Sequence, residues 1–223
     1  MIKALFLDVD NTLLDFNDCA RLSAIMTAKE MGVTLPTNFF PVFKEVNEML
    51  WQGYEKGTLT KSDIRKNRWN NVFKALNICF DGSPFEEAFR TNMKFCATPV
   101  SGAESLLNYL YEKYPLYVAS NASSEIQGKR LDLANFTRFF RYRFLSEDVG
   151  VAKPAREFWD FCLKSLALAP EEVIMIGDSP SADIVGAHNM GITTVWYNHD
   201  KLPTEGVPAD YIVNSLDEIK EIL

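Results

Sequence analysis

Two aspartates one residue apart follow directly on an apolar segment near the N-terminus. Residues 4–7 have the composition of a buried strand, and Asp8 and Asp10 come immediately after it. Alternate side chains of an extended chain point to one face, so the two carboxylates would crowd their like charges. A divalent cation relieves such crowding, and open α/β sheets place their chemistry at strand ends. The pair indicates either a metal-assisted reaction or, more simply, surface carboxylates that solubilise a strand end.

A second apolar segment, residues 173–176, also ends in acidic residues. Asp178 follows it after a glycine, and Asp183 comes five residues later, where the next helix can turn its carboxylate back toward the strand end. Asp178 could instead serve only as the cap of that helix. A cluster of carboxylate oxygens without nearby His or Cys favours Mg²⁺ over Ca²⁺ or Zn²⁺. We therefore expect a Mg²⁺ site at these two strand ends.

Polar residues also follow two further apolar segments. Ser120 and Asn121 come after residues 116–119, and a hydroxyl with backbone N–H groups at a helix start can hold phosphate oxygens. Lys153 lies beyond residues 143–145, just before a proline that can open a helix, and its ammonium would offset the charge of Asp8 and a phosphate. Taken singly, Ser120 is a plausible helix cap and Lys153 a plausible solvated cation. Together, the four strand ends favour phosphate chemistry.

The order of apolar and amphipathic segments predicts an α/β fold with a doubly wound parallel sheet. Beyond the second strand, the predicted strands alternate with amphipathic stretches, as right-handed helical crossovers require. More than a hundred residues separate the first strand from the second, which predicts an inserted domain. The six predicted strands are residues 2–7, 116–119, 143–145, 173–176, 192–196 and 211–213.

The insertion has helical periodicity. Apolar residues recur at three- and four-residue steps in two stretches, and Thr60 followed by Asp63 resembles a helix-starting capping pattern. Proline and glycine punctuate residues 97–102, where we expect the chain to return to the sheet. We predict a Rossmann-like core of residues 1–14 and 97–223 and a helical cap of residues 15–96. The apolar residues of the two stretches are Phe39, Val42, Phe43, Val46 and Leu50, then Ile64, Trp69, Val72, Phe73 and Leu76.

Composition excludes several function classes. The chain has 223 residues, 47% of them hydrophobic and 24% charged, and a net charge of −7 without a basic stripe, which disfavours nucleic-acid partners. Asp8 interrupts the N-terminal apolar run, and no later stretch is long enough to span a bilayer. We expect a cytoplasmic protein with a small-molecule partner, either a monomer or a homodimer.

Four short motifs occur in the order D-x-D-x-T, S-N, K-P and G-D-x-x-x-x-D. In this order they resemble the signature of the haloacid dehalogenase superfamily of phosphohydrolases. One departure is Ser120-Asn121-Ala122, where members often have Thr-Asn-Gly; serine keeps the hydroxyl, and alanine replaces the glycine. The matching residues are Asp8, Asp10, Thr12, Ser120, Asn121, Lys153, Pro154, Gly177, Asp178 and Asp183.

The resemblance implies a nucleophilic mechanism. Asp8 would attack a phosphomonoester to give an aspartyl-phosphate, and Asp10 would act as general acid and then as general base. Thr12 would orient Asp10 by hydrogen bonding. The second carboxylate argues against the dehalogenation that gives the superfamily its name.

The resemblance also implies the residues that bind the ion and the phosphate. Mg²⁺ would be held by Asp8, Asp178 and the backbone carbonyl of Asp10, with Asp183 bonded to metal-bound water or to Lys153. The residues implied to bind the phosphate are Ser120, Asn121 and Lys153.

Residues 46–57 and 65–73 look like the cap of the pyrimidine 5′-nucleotidase branch, which implies UMP, dUMP or dTMP as substrate. Trp51, Tyr54 or Trp69 would stack on the base, and Arg65 or Arg68 would contact its carbonyls or the sugar. Aromatic residues at helical spacing build a core just as well. Two alternatives stay open: a phosphatase or mutase acting on sugar phosphates or other small phosphometabolites, and a metabolite-binding regulator without catalysis.

Overall fold

The structure, a computed structural model, describes residues 1–223, which form two compact units. The sheet unit comprises Met1–Asp15 and Thr98–Leu223, and the helical unit comprises Phe16–Ala97. The helical unit is therefore a single insertion between the first strand and the rest of the sheet unit. None of the helices combines the length and the apolar composition needed to cross a membrane.

The sheet has six parallel strands in the spatial order β3-β2-β1-β4-β5-β6, which confirms the predicted doubly wound fold. The strand order reverses at β1, so its carboxyl end opens between those of β2 and β4, where such sheets bind ligands. Only β3 begins clearly earlier than predicted. The side chains of its first half are wholly or partly exposed at the sheet edge, so this half lacks the buried apolar pattern by which the strand was predicted. The strands are β1 (Ala4–Leu7), β2 (Leu116–Ser120), β3 (Phe140–Leu145), β4 (Val173–Gly177), β5 (Thr193–Tyr197) and β6 (Tyr211–Val213).

The helical unit contains four helices. The predicted capping box at the start of the third is present: Asp63 N donates to Thr60 Oγ1 at 3.1 Å, and Thr60 N donates to Asp63 Oδ2 at 2.8 Å. These bonds satisfy two backbone donors that the helix start would otherwise leave unpaired. The helices are α1 (Phe16–Met31), α2 (Phe39–Glu55), α3 (Lys61–Ala75) and α4 (Gly82–Met93).

The sheet unit contains six further α-helices. The helix predicted to open at Pro154 begins two residues later, at Arg156. A π-helical turn, Pro180–Val185, follows β4 and continues directly into a short helix. The helices are α5 (Ala103–Tyr111), α6 (Ser124–Leu133), α7 (Ser146–Val149), α8 (Arg156–Leu166), α9 (Gly186–His188) and α10 (Ile219–Ile222), with 3₁₀ turns at Thr137–Phe139, Pro170–Glu172 and Leu216–Glu218.

The core of the helical unit is aromatic. Trp69 is fully buried, and its ring centroid lies 4.4 Å from that of Phe85 and 5.3 Å from those of Phe43 and Phe89. The suggestion that Trp69 stacks on a base is therefore wrong, because its ring forms the centre of this core. Trp51 and Tyr54 are half-buried on α2 and pack edge to face at 5.5 Å.

Arg68 forms a buried ion pair inside the helical unit. Its Nε and Nη2 donate to Glu86 at 3.0 and 2.5 Å, and its Nη1 donates to Asn47 Oδ1 at 3.0 Å. The guanidinium also lies 5.1 Å from the centre of the Phe89 ring. Burial raises the pKa of Glu86 against the lowering effect of Arg68. The prediction that Arg68 binds substrate is corrected, because its guanidinium is buried and engaged by side chains of its own unit.

Replacing Arg68 with methionine is expected to destabilise the protein by about 3–5 kcal/mol, because Glu86 would keep a buried carboxylate without its partner. Losing the cation raises the folded-state pKa of Glu86 further above its unfolded value. Protonation then stabilises the folded variant, so its deficit should be larger at about pH 8 than at about pH 5. Urea unfolding measures both effects. Arg21→Met, which removes an exposed pair with Asp18, is the control. If Arg68→Met lost no more free energy of unfolding than this control, the structural role of Arg68 would be contradicted.

Candidate active site

A tight turn after β1 places the two aspartates. Asp8 continues the sheet, since its N–H donates to Ile176 O at 2.9 Å, and only 7% of its surface is exposed. The chain then turns through Asn11 at a φ of 59°, a left-handed conformation that asparagine tolerates better than most residues. Leu13 N and Leu14 N both donate to Val9 O at 2.8 Å, which closes the turn. Asp8 and Asp10 therefore sit on a fixed backbone at the carboxyl end of β1.

Lys153 lies at the centre of the site. Its Nζ donates to Asp8 Oδ1 at 2.8 Å, to Asp183 Oδ1 at 2.6 Å and to the backbone oxygen of Ala119 at 2.5 Å. Only 1% of the residue is exposed, so the interpretation as a solvated surface cation is wrong. Burial lowers the pKa of Lys153, but the charges of Asp183 and Asp8 more than reverse this and raise that pKa above its usual range. The ammonium therefore stays charged and holds the two carboxylates together.

Asn121 holds the backbone of Lys153. Its Nδ2 donates to Lys153 O and its Oδ1 accepts from Lys153 N, both at 2.9 Å. The Ser146 hydroxyl in turn donates to Asn121 O at 3.1 Å. The predicted role of Asn121 as a phosphate ligand is therefore corrected for its side chain, because both amide atoms already bond to the backbone of Lys153. The side chain positions Lys153.

Asp178 and Asp183 follow β4, as predicted. The Thr12 hydroxyl donates to Asp178 Oδ1 at 3.2 Å, and Trp196 Nε1 donates to the Asp178 carbonyl at 2.9 Å. Asp183 Oδ2 accepts the N–H of Ser179 at 3.1 Å. The predicted bond from Thr12 to Asp10 is wrong, because the turn after β1 aims the hydroxyl at the neighbouring strand end. Burial, then the charges of Asp8 and Asp183, raise the pKa of Asp178 well above its usual value.

Sequence reasoning missed the partners of Asp10. Arg130 Nη1 donates to Asp10 Oδ1, and Gln127 Nε2 donates to Asp10 Oδ2 at 3.2 Å. Both partners lie on α6 and are buried. The available signal was their three-residue spacing, which puts a glutamine and an arginine on one helix face directly after the Ser120 loop.

Ser120 is buried at the end of β2. Its Oγ accepts the N–H of Ala122 at 3.2 Å and lies 3.3 Å from Gln127 Nε2. The alternative that Ser120 caps the next helix is wrong, because α6 begins at Ser124 and its cap residue is Ser123.

The carboxylate cluster fits a divalent cation. One oxygen from each of Asp8, Asp178 and Asp183 can be chosen so that all three lie within 4.8 Å of one another. With all three carboxylates ionised, the cluster and the Lys153 ammonium would carry two negative charges in excess, and burial raises the pKa of Asp8 to about 7 despite the lowering effect of Lys153. The donor set consists only of oxygen, as Mg²⁺ prefers. A doubly charged cation would balance the excess.

Nearly the whole chain matches one class of known proteins. A model of the family described as haloacid dehalogenase-like hydrolase matches residues 5–197. The chain belongs to this family. It is 31% identical to the pyrimidine 5′-nucleotidase YjjG of Escherichia coli over 98% of this chain and 96% of the relative. It is 32% identical to the pyrimidine 5′-nucleotidase PynA of Streptococcus pneumoniae over 99% and 94%.

A solved structure of the family shares the fold closely. The HAD-hydrolase YfnB of Bacillus subtilis, described as bound to magnesium, matches with a TM-score of 0.93 and 29% identity over 100% of this chain and 98% of that chain. The resemblance inferred from the four motifs is confirmed, and the chain is a hydrolase of this family.

Proposed function

We propose that this hydrolase is a Mg²⁺-dependent phosphomonoesterase that acts through an aspartyl-phosphate on Asp8. The observation that carries the proposal is the buried Lys153, bonded to both Asp8 and Asp183 at the carboxyl end of the sheet. A buried carboxylate held beside a fixed cation suits attack on an anionic phosphate, because the cation offsets the repulsion between the two.

The first step transfers the phosphoryl group to the protein. An Asp8 oxygen forms a bond to phosphorus as the bond from phosphorus to the ester oxygen breaks, and Asp10 gives its proton to the leaving oxygen. In the second step, water attacks phosphorus and Asp10 takes the proton of that water. The bond between Asp8 and phosphorus then breaks, which releases inorganic phosphate and restores both carboxyl groups.

The phosphate is stabilised by groups from other strand ends. Lys153 places a positive charge next to Asp8, and the Ser120 hydroxyl lies at the end of the adjacent strand β2. Mg²⁺, held by Asp8, Asp178 and the backbone carbonyl of Asp10, would supply positive charge that neutralises the nucleophile and the phosphate. We assign Asp183 to holding Lys153, the contact that it makes in the structure.

We propose pyrimidine nucleoside 5′-monophosphates as the substrate class. The support is that two relatives above 30% identity over nearly full length are pyrimidine 5′-nucleotidases. In the helical unit, Trp51 remains the proposed base contact, because it is half-buried whereas Trp69 is not exposed.

Phosphate release from a panel of nucleoside monophosphates and sugar phosphates tests the proposal. With Mg²⁺ we expect the highest kcat/KM for UMP, dUMP or dTMP, and loss of activity in EDTA that is restored by adding Mg²⁺. The Asp8→Asn variant measures contaminating phosphatase. Faster turnover of sugar phosphates would overturn the substrate class but keep the chemistry. Full activity in EDTA would overturn the proposed role of Mg²⁺. If no substrate gave Asp8-dependent phosphate release, the proposed phosphomonoesterase activity would be overturned.

A further inference from the structure

Two buried polar side chains of α6, Gln127 and Arg130, contact Asp10 but take no direct part in the proposed chemistry. Gln127 is fully buried and Arg130 is 1% exposed, whereas the Asp10 side chain is 27% exposed. Burying a guanidinium is costly unless its charge is paired. Arg130 is paired with the one carboxylate that the proposed mechanism uses as acid and base.

The contacts fix both oxygens of the Asp10 carboxylate. Arg130 Nη1 donates to Oδ1 and also to Gln127 Oε1 at 3.1 Å, while Gln127 Nε2 donates to Oδ2 at 3.2 Å. Each of the three side chains thus contacts the other two. A partly exposed aspartate with one partner can change rotamer, but one held at both oxygens by two buried side chains has a defined orientation.

Gln127 also connects this group to the phosphate-binding side of the site. Its Nε2 lies 3.3 Å from Ser120 Oγ, so one amide nitrogen reaches both Asp10 and Ser120. Asp10 follows β1 and Ser120 ends β2, two adjacent strands. Gln127, on the helix that follows β2, therefore bridges the side chains of Asp10 and Ser120.

We propose that Arg130 and Gln127 are positioning residues that hold the Asp10 carboxyl group in place for proton transfer to the leaving oxygen. The inference rests on the proposed function, because it assigns these residues to the Asp10 step of that reaction. Proton transfer needs the carboxyl group within hydrogen-bond reach of the leaving oxygen, so a freely rotating Asp10 would be a poor acid.

The test compares two esters that differ in their need for an acid. p-Nitrophenolate leaves without a proton, whereas the 5′-oxygen of UMP needs one. kcat/KM reports on phosphoryl transfer to Asp8, so Arg130→Gln should lower kcat/KM for UMP by about 10²-fold and that for p-nitrophenyl phosphate by less than about threefold. A purely structural role of the ion pair would lower both by the same factor.

Three further variants keep the test decisive if Arg130→Gln folds poorly. Arg130→Lys keeps the charge but not the fork of donors, and should show a smaller loss with the same selectivity for UMP. In the Asp10→Asn background, Arg130→Lys should cause no further loss for UMP. Arg138→Gln, which removes an exposed pair with Glu104, is the matched control.

Equal losses on the two esters, or an additive loss in the Asp10→Asn background, would overturn the positioning role while leaving the phosphomonoesterase intact. If the parent shows no Asp8-dependent hydrolysis of either ester, the proposed function fails and this inference fails with it.

Discussion

Replacing Asp8 with asparagine is expected to lower kcat by more than about 10⁴-fold, because the amide cannot form the proposed aspartyl-phosphate. The fold should survive. Burial raises the pKa of the Asp8 carboxyl to about 7, so the folded protein holds this carboxylate at a cost that a neutral amide removes. We therefore expect the melting temperature of Asp8→Asn, measured in EDTA, to equal or exceed that of the parent.

Mass spectrometry and a control variant test whether the lost activity reflects lost chemistry at Asp8. Mass spectrometry of acid-quenched reactions should detect a phosphorylated aspartate at position 8 in the parent and none in the variant. Asp217→Asn, which changes an exposed carboxylate paired with Lys220, is the control and should keep parental activity. Retained turnover by purified Asp8→Asn would remove Asp8 from the role of nucleophile.

The sequence was sufficient to predict the sheet and the strand ends that carry the site. Parallel strands place their carboxyl ends at one edge, so polar residues after four apolar segments had to converge if those segments shared a sheet. Asp8, Lys153 and Asp183 confirm this, since one ammonium bonds both carboxylates across three different strand ends.

The partners of those side chains could not be predicted in the same way. Backbone order determines which strand ends meet, but the direction of a side chain beyond a strand depends on the local turn. The left-handed Asn11 follows Asp10 and directs Thr12 to Asp178 rather than to Asp10. Arg130 reaches Asp10 across 120 residues of sequence, and the three-residue spacing of Gln127 and Arg130 does not show that Asp10 is their partner.

The same limitation explains the error at Arg68. From sequence alone, an arginine next to a tryptophan on a helix is compatible with a substrate contact and with an ion pair. The ion-pair partner of Arg68, Glu86, lies on a different helix, 18 residues away. Only the packing of α3 against α4 decides between the two. Charged residues in the inserted unit were therefore less predictable than those at strand ends, where topology restricts the choice of neighbours.

Replacing Lys153 with methionine is expected to lower the free energy of unfolding by about 3–5 kcal/mol and kcat/KM by about 10²–10³-fold. Methionine keeps most of the length of the side chain but leaves Asp8 and Asp183 buried without the ammonium that each contacts. Like charges then face each other at two buried positions. The catalytic loss follows from the same change, because no fixed cation remains beside Asp8, the proposed nucleophile.

The pH dependence of this destabilisation distinguishes lost charge from lost packing. Without Lys153, the folded-state pKa of Asp8 rises further above its unfolded value. The folded variant is then stabilised by protonation at low pH, and this stabilisation is lost as the pH rises through the folded-state pKa. Urea unfolding in EDTA should therefore show that Lys153→Met loses more free energy of unfolding, relative to the parent, at about pH 8 than at about pH 5. Lys164→Met, at an exposed position of α8, should show no such dependence. A deficit independent of pH would mean that Lys153 contributes packing rather than charge, because a cavity or a steric misfit does not titrate.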